Sequence, residues 1–185
     1  MTARTVHLIR HGQSLFNAAF DPATRSDPML FDAPLSPKGR AQAAALRAEA
    51  HGLGAELIVT SPLTRAIETT LAAFGPDHGP VLVEALHRER VEHSCDVGRP
   101  PAELAQAFPG LAFDHLDDPW WHSDGSHPRA IVVEPEPVLL TRVAAFRAWL
   151  GARRERVIAV VGHGTFLNRL TGLEFRNCQR ATIAL

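Results

Sequence analysis

Two glycine-flanked histidines stand far apart in this sequence, and each directly follows a short apolar run. His11 lies between Arg10 and a glycine, after the apolar run 6–9. His163 lies between two glycines, after the apolar run 157–161. Because parallel strands end at the same edge of a sheet, a parallel sheet could bring the two imidazoles together. Two imidazoles beside a guanidinium form a site for an anion, and a phosphoryl group suits it best.

A second arginine and several carboxylates follow the other apolar runs. Arg65 comes shortly after the run 56–60, in the expected first turn of a helix, where the helix N-terminus adds partial positive charge. Arg10 and Arg65 each offer a planar guanidinium that can bind two phosphate oxygens. The run 81–83 is followed by three acidic residues: Glu84, Glu89 and Glu92. All these groups are therefore expected at the same edge of the sheet as the histidines.

These residue types predict phosphoryl transfer. A neutral His11 can attack phosphorus through a ring nitrogen and form a phosphohistidine. His163 can donate to the oxygens that gain charge in the transition state, and Asn17 can donate an amide hydrogen bond without adding charge. The leaving alkoxide needs a proton, which a carboxyl group with a raised pKa can supply. On the residues alone, three glutamates remain candidates for this donor: Glu84, Glu89 and Glu92.

Alternating strands and helices must position these groups. Apolar runs bounded by turn residues predict strands over 6–9, 56–60, 81–83, 157–161 and 182–185. Capping and periodicity predict helices over 38–50, 63–74 and 136–153, and a helix start at 165–170. Both Ser36-Pro37 and Ser61-Pro62 resemble a serine cap before a proline at the first helical position. The pattern predicts a three-layer α/β/α sandwich with a mostly parallel central sheet.

The composition limits the classes of protein and partner. With 185 residues, 45% hydrophobic and 21% charged, the chain fits a single domain over 1–185. A formal net charge of −1 predicts no nucleic-acid or membrane partner. The two cysteines, Cys95 and Cys178, form no disulfide framework, which favours a reduced compartment. With no signal-peptide pattern and no apolar run near the roughly 18 residues of a membrane span, a cytoplasmic protein is expected.

Five segments, in order along the chain, carry a resemblance to a known family. They are 8–14 (LIRHGQS) with Asn17, 32–39 (DAPLSPKG), 60–69 (TSPLTRAIET), 86–89 (LHRE) and 161–164 (VGHG). Together they resemble the motifs of the histidine phosphatase superfamily, the phosphoglycerate-mutase-like proteins. A single Arg-His-Gly would be weak evidence, whereas five ordered segments are specific.

The resemblance implies a role for each matched residue. It implies that His11 is the phosphoacceptor, and that Glu89 is the proton donor and later the base for the attacking water. It implies a phosphate pocket made of Arg10, His11, Asn17, Arg65 and His163. It also implies the phosphoglycerate-mutase-like fold, and chemistry that needs neither a metal nor a cofactor. The mutases of the family are usually longer, so the short chain favours a phosphatase.

The expected function is therefore metal-independent hydrolysis of small phosphate monoesters through a phosphohistidine on His11. The expected partners are a small-molecule phosphate ester and inorganic phosphate. Two alternatives stay open: a phosphoglycerate-type mutase that returns the phosphoryl group, and a non-catalytic module that only binds a phosphorylated ligand. A strand over 182–185 could also lie at a homodimer interface. The segments 18–34 and 109–128 are irregular, and their sequence does not indicate the substrate.

Overall fold

A computed structural model of the protein describes residues 4–75 and 79–185. Five strands form its sheet: β1 (Thr5–Arg10), β2 (Leu57–Thr60), β3 (Val81–Val83), β4 (Val157–Gly162) and β5 (Arg180–Ala184). The helices are α1 (Leu15–Ala19), α2 (Pro37–Ala45), α3 (Arg47–His51), α4 (Thr64–Phe74), α5 (Pro101–Ala107), α6 (Glu136–Ala152) and α7 (Gly164–Thr171). In the described part of the chain, no helix combines the length and apolar character that a membrane crossing needs.

The strands form one sheet in the order β3-β2-β4-β1-β5. The pairs β1–β4, β2–β4 and β2–β3 are parallel, while β5 runs antiparallel to β1 at one edge. The apolar runs of the sequence therefore did form the strands, with ends shifted by one or two residues. The mostly parallel sheet is confirmed, and β1 and β4 lie side by side at its centre.

Helices cover both faces of the sheet because the side chains of its strands alternate between the two faces. One core contains six strand residues with α6 and α7: Val6, Leu8, Leu57, Val59, Ile158 and Val160. The other core contains four alternate strand residues with α3 and α4: Ile9, Ile58, Ala159 and Val161. The three-layer α/β/α fold is confirmed, and burial on both faces explains why the central strands are mostly apolar.

Two helix predictions need correction. The helix expected over 38–50 is divided at Leu46 into α2 and α3. Its start is as expected, because the Ser36 hydroxyl accepts a hydrogen bond from the Gly39 N–H at 3.0 Å. Ser61 does not cap α4, which begins at Thr64 without a cap from its preceding residue. Instead, Thr64 N–H donates to the Asp32 carboxylate at 2.8 Å, so an acidic residue distant in sequence stabilises this helix start.

Three buried aromatic residues anchor the otherwise largely exposed irregular segment 109–128 to the protein: Phe113, Trp120 and Trp121. Trp120 and Trp121 are both buried in a third apolar cluster that also includes Leu63 and Val97. Gly98 allows this packing, because a Cβ atom there would lie 2.1 Å from the Trp120 ring. The tryptophans therefore form part of a core beside the sheet edge and do not form a cover over the histidines.

Candidate active site

The ends of β1 and β4 bring the two glycine-flanked histidines together. Arg10 at the end of β1 is paired in register with Gly162 at the end of β4, so the next residues are neighbours. The rings of His11 and His163 lie 5.1 Å apart between centroids, and both side chains are buried. The juxtaposition expected from the sequence is thus present, and it follows from the parallel pairing of the two strands.

Hydrogen bonds fix the protonation pattern of His11. The Nε of Arg65 donates to His11 Nε2 at 3.2 Å, and because an arginine can only donate, Nε2 must carry a lone pair. The other nitrogen, Nδ1, then holds the proton and donates to the Gly12 carbonyl at 2.7 Å. Burial, followed by the charges of Arg65 and Arg10, holds the pKa of His11 well below its ordinary value. His11 is therefore a neutral imidazole with its lone pair on Nε2, the form in which a histidine can act as a nucleophile.

The Arg65 side chain is fixed by contacts with the segment 95–96 as well as by its position on a helix. It lies in the first turn of α4 and is buried, and its Nη2 forms an ion pair with Asp96 at 2.9 Å. Its Nη1 donates to the Cys95 carbonyl at 2.5 Å. No contact between Asp96 and Arg65 could be predicted from the sequence, because only the folded segment 94–96 brings the Asp96 carboxylate to the start of α4.

The Arg10 guanidinium packs closely against Gly164 at the site. Its Nη1 donates to the Phe175 carbonyl at 2.6 Å, while its buried Nε has no hydrogen-bond partner among the described residues. A Cβ atom on Gly164 would lie 3.2 Å from the Arg10 guanidinium, so the glycine after His163 makes room for this side chain. An unpartnered buried donor is costly, and an anion bound here would satisfy it.

His163 is completely buried, and neither of its ring nitrogens has a hydrogen-bond partner in the described part of the chain. Burial lowers the pKa of His163 well below its ordinary value, and the charge of Arg65 lowers it further. The ring is therefore neutral and carries one unused donor and one unused acceptor. Such a group is suited to donate to an oxygen of a bound phosphoryl group.

Glu89 lies at the N-terminus of α7. Its Oε1 accepts from the N–H groups of Arg90 and Phe166 at 2.9 and 3.0 Å, and its Oε2 accepts from that of Thr165 at 3.0 Å. Burial of the carboxyl group and the charge of Asp96 raise the pKa of Glu89, and the backbone N–H groups partly oppose this.

The other two glutamates have different surroundings. Glu84 accepts from the Leu86 N–H at 2.9 Å and caps a short 3₁₀ turn. Glu92 has 40% of its side chain exposed and forms an ion pair with Arg90 at 2.9 Å. Glu89 and Glu92 both line the cavity, and Glu89 combines this position with a raised pKa and three hydrogen bonds from backbone N–H groups.

A cavity of about 220 Å³ opens onto His11. Four of the other predicted site residues line it: Arg10, Asn17, Arg65 and Glu89. The Oδ1 of Asn17 accepts from the Ser14 N–H at 3.2 Å, which leaves its amide N–H groups as donors at the cavity wall. Phe16, Phe20 and His93 form an aromatic wall beside it, with ring centroids 5.2–5.4 Å apart. A larger cavity of about 430 Å³ near Trp121 contains none of the predicted site residues.

The acidic and histidine-rich stretch between 114 and 127 lies in the irregular segment, away from this cavity. His115 Nε2 donates to the Val83 carbonyl oxygen at 2.8 Å. Within 4–75 and 79–185, no three His, Cys, Asp or Glu residues form a cluster that could hold a metal ion. The groups gathered at the sheet edge are nitrogen donors around one neutral imidazole and one carboxyl group with a raised pKa, an arrangement suited to a phosphoryl group.

The α/β fold and this site define a protein that handles phosphoryl groups. The family model of the histidine phosphatase superfamily (branch 1) matches residues 6–182, and the chain belongs to this superfamily. The class expected from the five motifs, a phosphoric monoester hydrolase of the histidine phosphatase type, is thereby confirmed.

Several known proteins are similar over most of the chain. A phosphoglycerate mutase-like protein of Arabidopsis thaliana is 28% identical, with 95% of this chain and 76% of that protein covered. A glucosyl-3-phosphoglycerate phosphatase of Mycolicibacterium vanbaalenii is 31% identical, with 92% of this chain and 74% of that protein covered. The alpha-ribazole phosphatase from Shigella flexneri has a similar fold, with a TM-score of 0.66 at 20% identity, over 96% of this chain and 89% of that one.

Proposed function

We propose that this protein is a metal-independent phosphatase that hydrolyses small phosphate monoesters through a phosphohistidine on His11. The observation that carries the proposal is the neutral His11 ring, with its Nε2 lone pair held by Arg65 at the floor of a polar cavity. A buried, neutral imidazole with its second nitrogen fixed by a carbonyl is the form that attacks phosphorus. The proposal keeps the residue assignments that the five motifs imply.

The first step transfers the phosphoryl group to the protein. His11 Nε2 forms a bond to phosphorus while the bond between phosphorus and the ester oxygen breaks. Glu89, protonated at this point, gives its proton to the leaving oxygen, so that an alcohol departs and a carboxylate remains. Because Oε1 already accepts two N–H groups and Oε2 only one, we assign the proton to Oε2.

The second step returns the protein to its starting form. The Glu89 carboxylate accepts a proton from water as the water oxygen attacks the phosphohistidine, and the bond from phosphorus to Nε2 breaks. Inorganic phosphate leaves, His11 is again neutral, and Glu89 is again protonated. No metal or cofactor takes part in this sequence.

The phosphate pocket consists of Arg10, His11, Asn17, Arg65 and His163. In the free protein, Arg65 Nε donates to the nucleophile itself, and Arg10 Nε and both His163 nitrogens lack partners among residues 4–75 and 79–185. When a phosphoryl group enters, Arg65 Nε exchanges His11 for a phosphate oxygen, which frees the nucleophile. The Arg10 and His163 donors gain their partners in the same event, so binding and activation are coupled.

The substrate is a small-molecule phosphate ester, and the product is inorganic phosphate together with an alcohol. The small cavity supports this class, and so do the named activities of the glucosyl-3-phosphoglycerate phosphatase relatives.

The two cysteines are free thiols, which supports a cytoplasmic location. We retain the homodimer through the free edge of β5 as a proposal, which analytical ultracentrifugation tests.

Phosphate release from p-nitrophenyl phosphate and a panel of metabolite phosphates, measured with EDTA present, tests the proposal. We expect turnover in the wild type and none in His11→Ala. His7→Ala is the matched control, since His7 lies on β1, the strand that ends just before His11, and its ring contacts Thr182 rather than the cavity. Activity in His11→Ala near the wild-type level would overturn the mechanism. An isomerised ester without free phosphate would indicate a mutase, and tight phosphate binding without turnover a binding module.

A further inference from the structure

A buried ion pair lies behind the segment that carries Glu89. Arg142 of α6 is 6% exposed, and Glu134, just before α6, is fully buried. Their contact is bidentate: Arg142 Nε donates to Glu134 Oε1 at 3.0 Å, and Nη2 donates to Oε2 at 2.5 Å. Neither residue lines the cavity at His11, and none of the five motifs includes them.

The remaining donors of Arg142 hold the backbone around Glu89. Its Nη1 donates to the carbonyls of Leu86 and Arg88 at 2.8 and 2.7 Å, and its Nη2 reaches the Glu89 carbonyl at 3.5 Å. With the two bonds to Glu134, all five N–H groups of the guanidinium are used. No other natural side chain presents five donors in one plane, so the contact set is specific to arginine.

Glu134 extends the same restraint past Glu89. Its carbonyl accepts from Arg90 Nε at 2.8 Å, and its N–H donates to the Val91 carbonyl at 2.9 Å. Its carboxylate also lies 3.4 Å from Arg88 Nη2. The backbone is thus anchored at residues 86, 88 and 91, on both sides of Glu89.

The pair also contacts the donor side of the Glu89 carboxyl group. The Arg142 guanidinium lies over the Phe166 ring, 5.1 Å from its centroid, and the Phe166 N–H donates to Glu89 Oε1. Arg142 therefore packs against both the segment that bears the carboxyl group and the first turn of α7 that receives it.

We propose that the Arg142–Glu134 pair positions Glu89 for proton transfer. The inference rests on the proposed function, in which Glu89 is the acid. A buried ion pair contributes little net stability compared with apolar residues of the same volume, so stability alone does not account for it. Proton donation, in contrast, requires the carboxyl oxygen within hydrogen-bond distance of the leaving oxygen, and a displacement of about 1 Å can cost about 100-fold in rate.

Two aryl phosphate esters that differ in the basicity of the leaving oxygen can distinguish a role in positioning Glu89 from a purely structural role. Phenyl phosphate has a strongly basic leaving oxygen that needs a proton, while 2,4-dinitrophenyl phosphate has a leaving group that departs without one. The quantity to compare is kcat/KM, because it reports the steps up to cleavage of the ester bond. In Glu89→Gln, we expect kcat/KM for phenyl phosphate to fall by about 100-fold or more, and that for the dinitrophenyl ester to change little.

Arg142→Lys keeps the positive charge beside Glu134 but loses the planar set of donors. We expect it to lower kcat/KM for phenyl phosphate by about tenfold and to leave the dinitrophenyl ester within about twofold of the wild type. Glu134→Gln, which keeps the size of the side chain, should have the same selective effect and serves if Arg142→Lys does not fold. Arg147→Lys is the matched control on α6, since Arg147 donates to the Leu170 carbonyl, away from Glu89, and to no other residue in the described part of the chain.

The results distinguish the inference from the proposed function. If Glu89→Gln slows both esters equally, Glu89 is not the acid and the proposed mechanism is wrong. If Glu89→Gln is selective while Arg142→Lys and Glu134→Gln slow both esters equally or neither, the positioning role is wrong and the mechanism stands. Selective loss in all three variants, with Arg147→Lys unchanged, supports both.

Discussion

Two residues with opposite pKa shifts set the expected pH dependence. Burial and the charges of Arg65 and Arg10 lower the pKa of His11, so the proposed nucleophile becomes neutral at lower pH than an ordinary histidine. Burial and the charge of Asp96 raise the pKa of Glu89, so the acid keeps its proton to higher pH. We expect a bell-shaped profile of kcat/KM for phenyl phosphate with its maximum below neutral pH. His11 deprotonation gives the rising acid limb, and Glu89 deprotonation gives the falling alkaline limb.

The control for this profile is Glu89→Gln, which has no group that titrates at that position. Its residual activity should lack the alkaline limb and keep the acid limb. An unchanged alkaline limb in this variant would show that some other group controls it.

Asp96 acts on the same limb from a distance. Its negative charge is the second cause, after burial, of the raised pKa of Glu89, so Asp96→Asn should lower that pKa toward its ordinary value. The alkaline limb of the profile should then move to lower pH. Asp27→Asn is a matched control, because Asp27 accepts from Ser94 in the same segment but is not among the causes of the Glu89 shift. A limb that moves equally in both variants would contradict the electrostatic argument.

At the scale of the elements, the loop after β1 is pressed against the start of α2. A Cβ atom on Gly39 would lie 1.9 Å from the Gln13 carbonyl oxygen, a backbone atom two residues from His11. Gly39→Ala must therefore push this loop away, and we expect a loss of kcat of about 100-fold as His11 is displaced. Gly110→Ala is the control, since nothing lies within 4 Å of its Cβ position. Wild-type kcat in Gly39→Ala would show that the loop yields without moving the nucleophile.

The elements also show what the sequence could and could not predict. Buried strands form continuous apolar runs, so the central strands and the polar residues after them could be located, which is why His11, His163 and Arg65 were found. Contacts between segments distant in sequence leave no local pattern, so the ion pair of Arg65 with Asp96 could not be predicted. The prediction that Ser61 caps α4 was wrong for the same reason, because the oxygen that accepts from the Thr64 N–H belongs to Asp32.

The whole molecule offers a test of both the site and the single domain over 1–185. Phosphate that binds only the folded chain should stabilise it by about 2.7 kcal/mol at 100 times its dissociation constant.

Trp149 on α6 and the pair Trp120 and Trp121 lie in separate apolar clusters, so tryptophan fluorescence monitors both regions, while far-UV circular dichroism monitors the sheet and helices. We expect one urea transition, coincident for both signals, that phosphate moves as a unit. Sodium chloride at matched ionic strength should not reproduce the shift, because a specific site and not screening causes it. Two separated transitions, or a phosphate shift in only one signal, would mean that the site and the cluster around Trp120 belong to separately folding units.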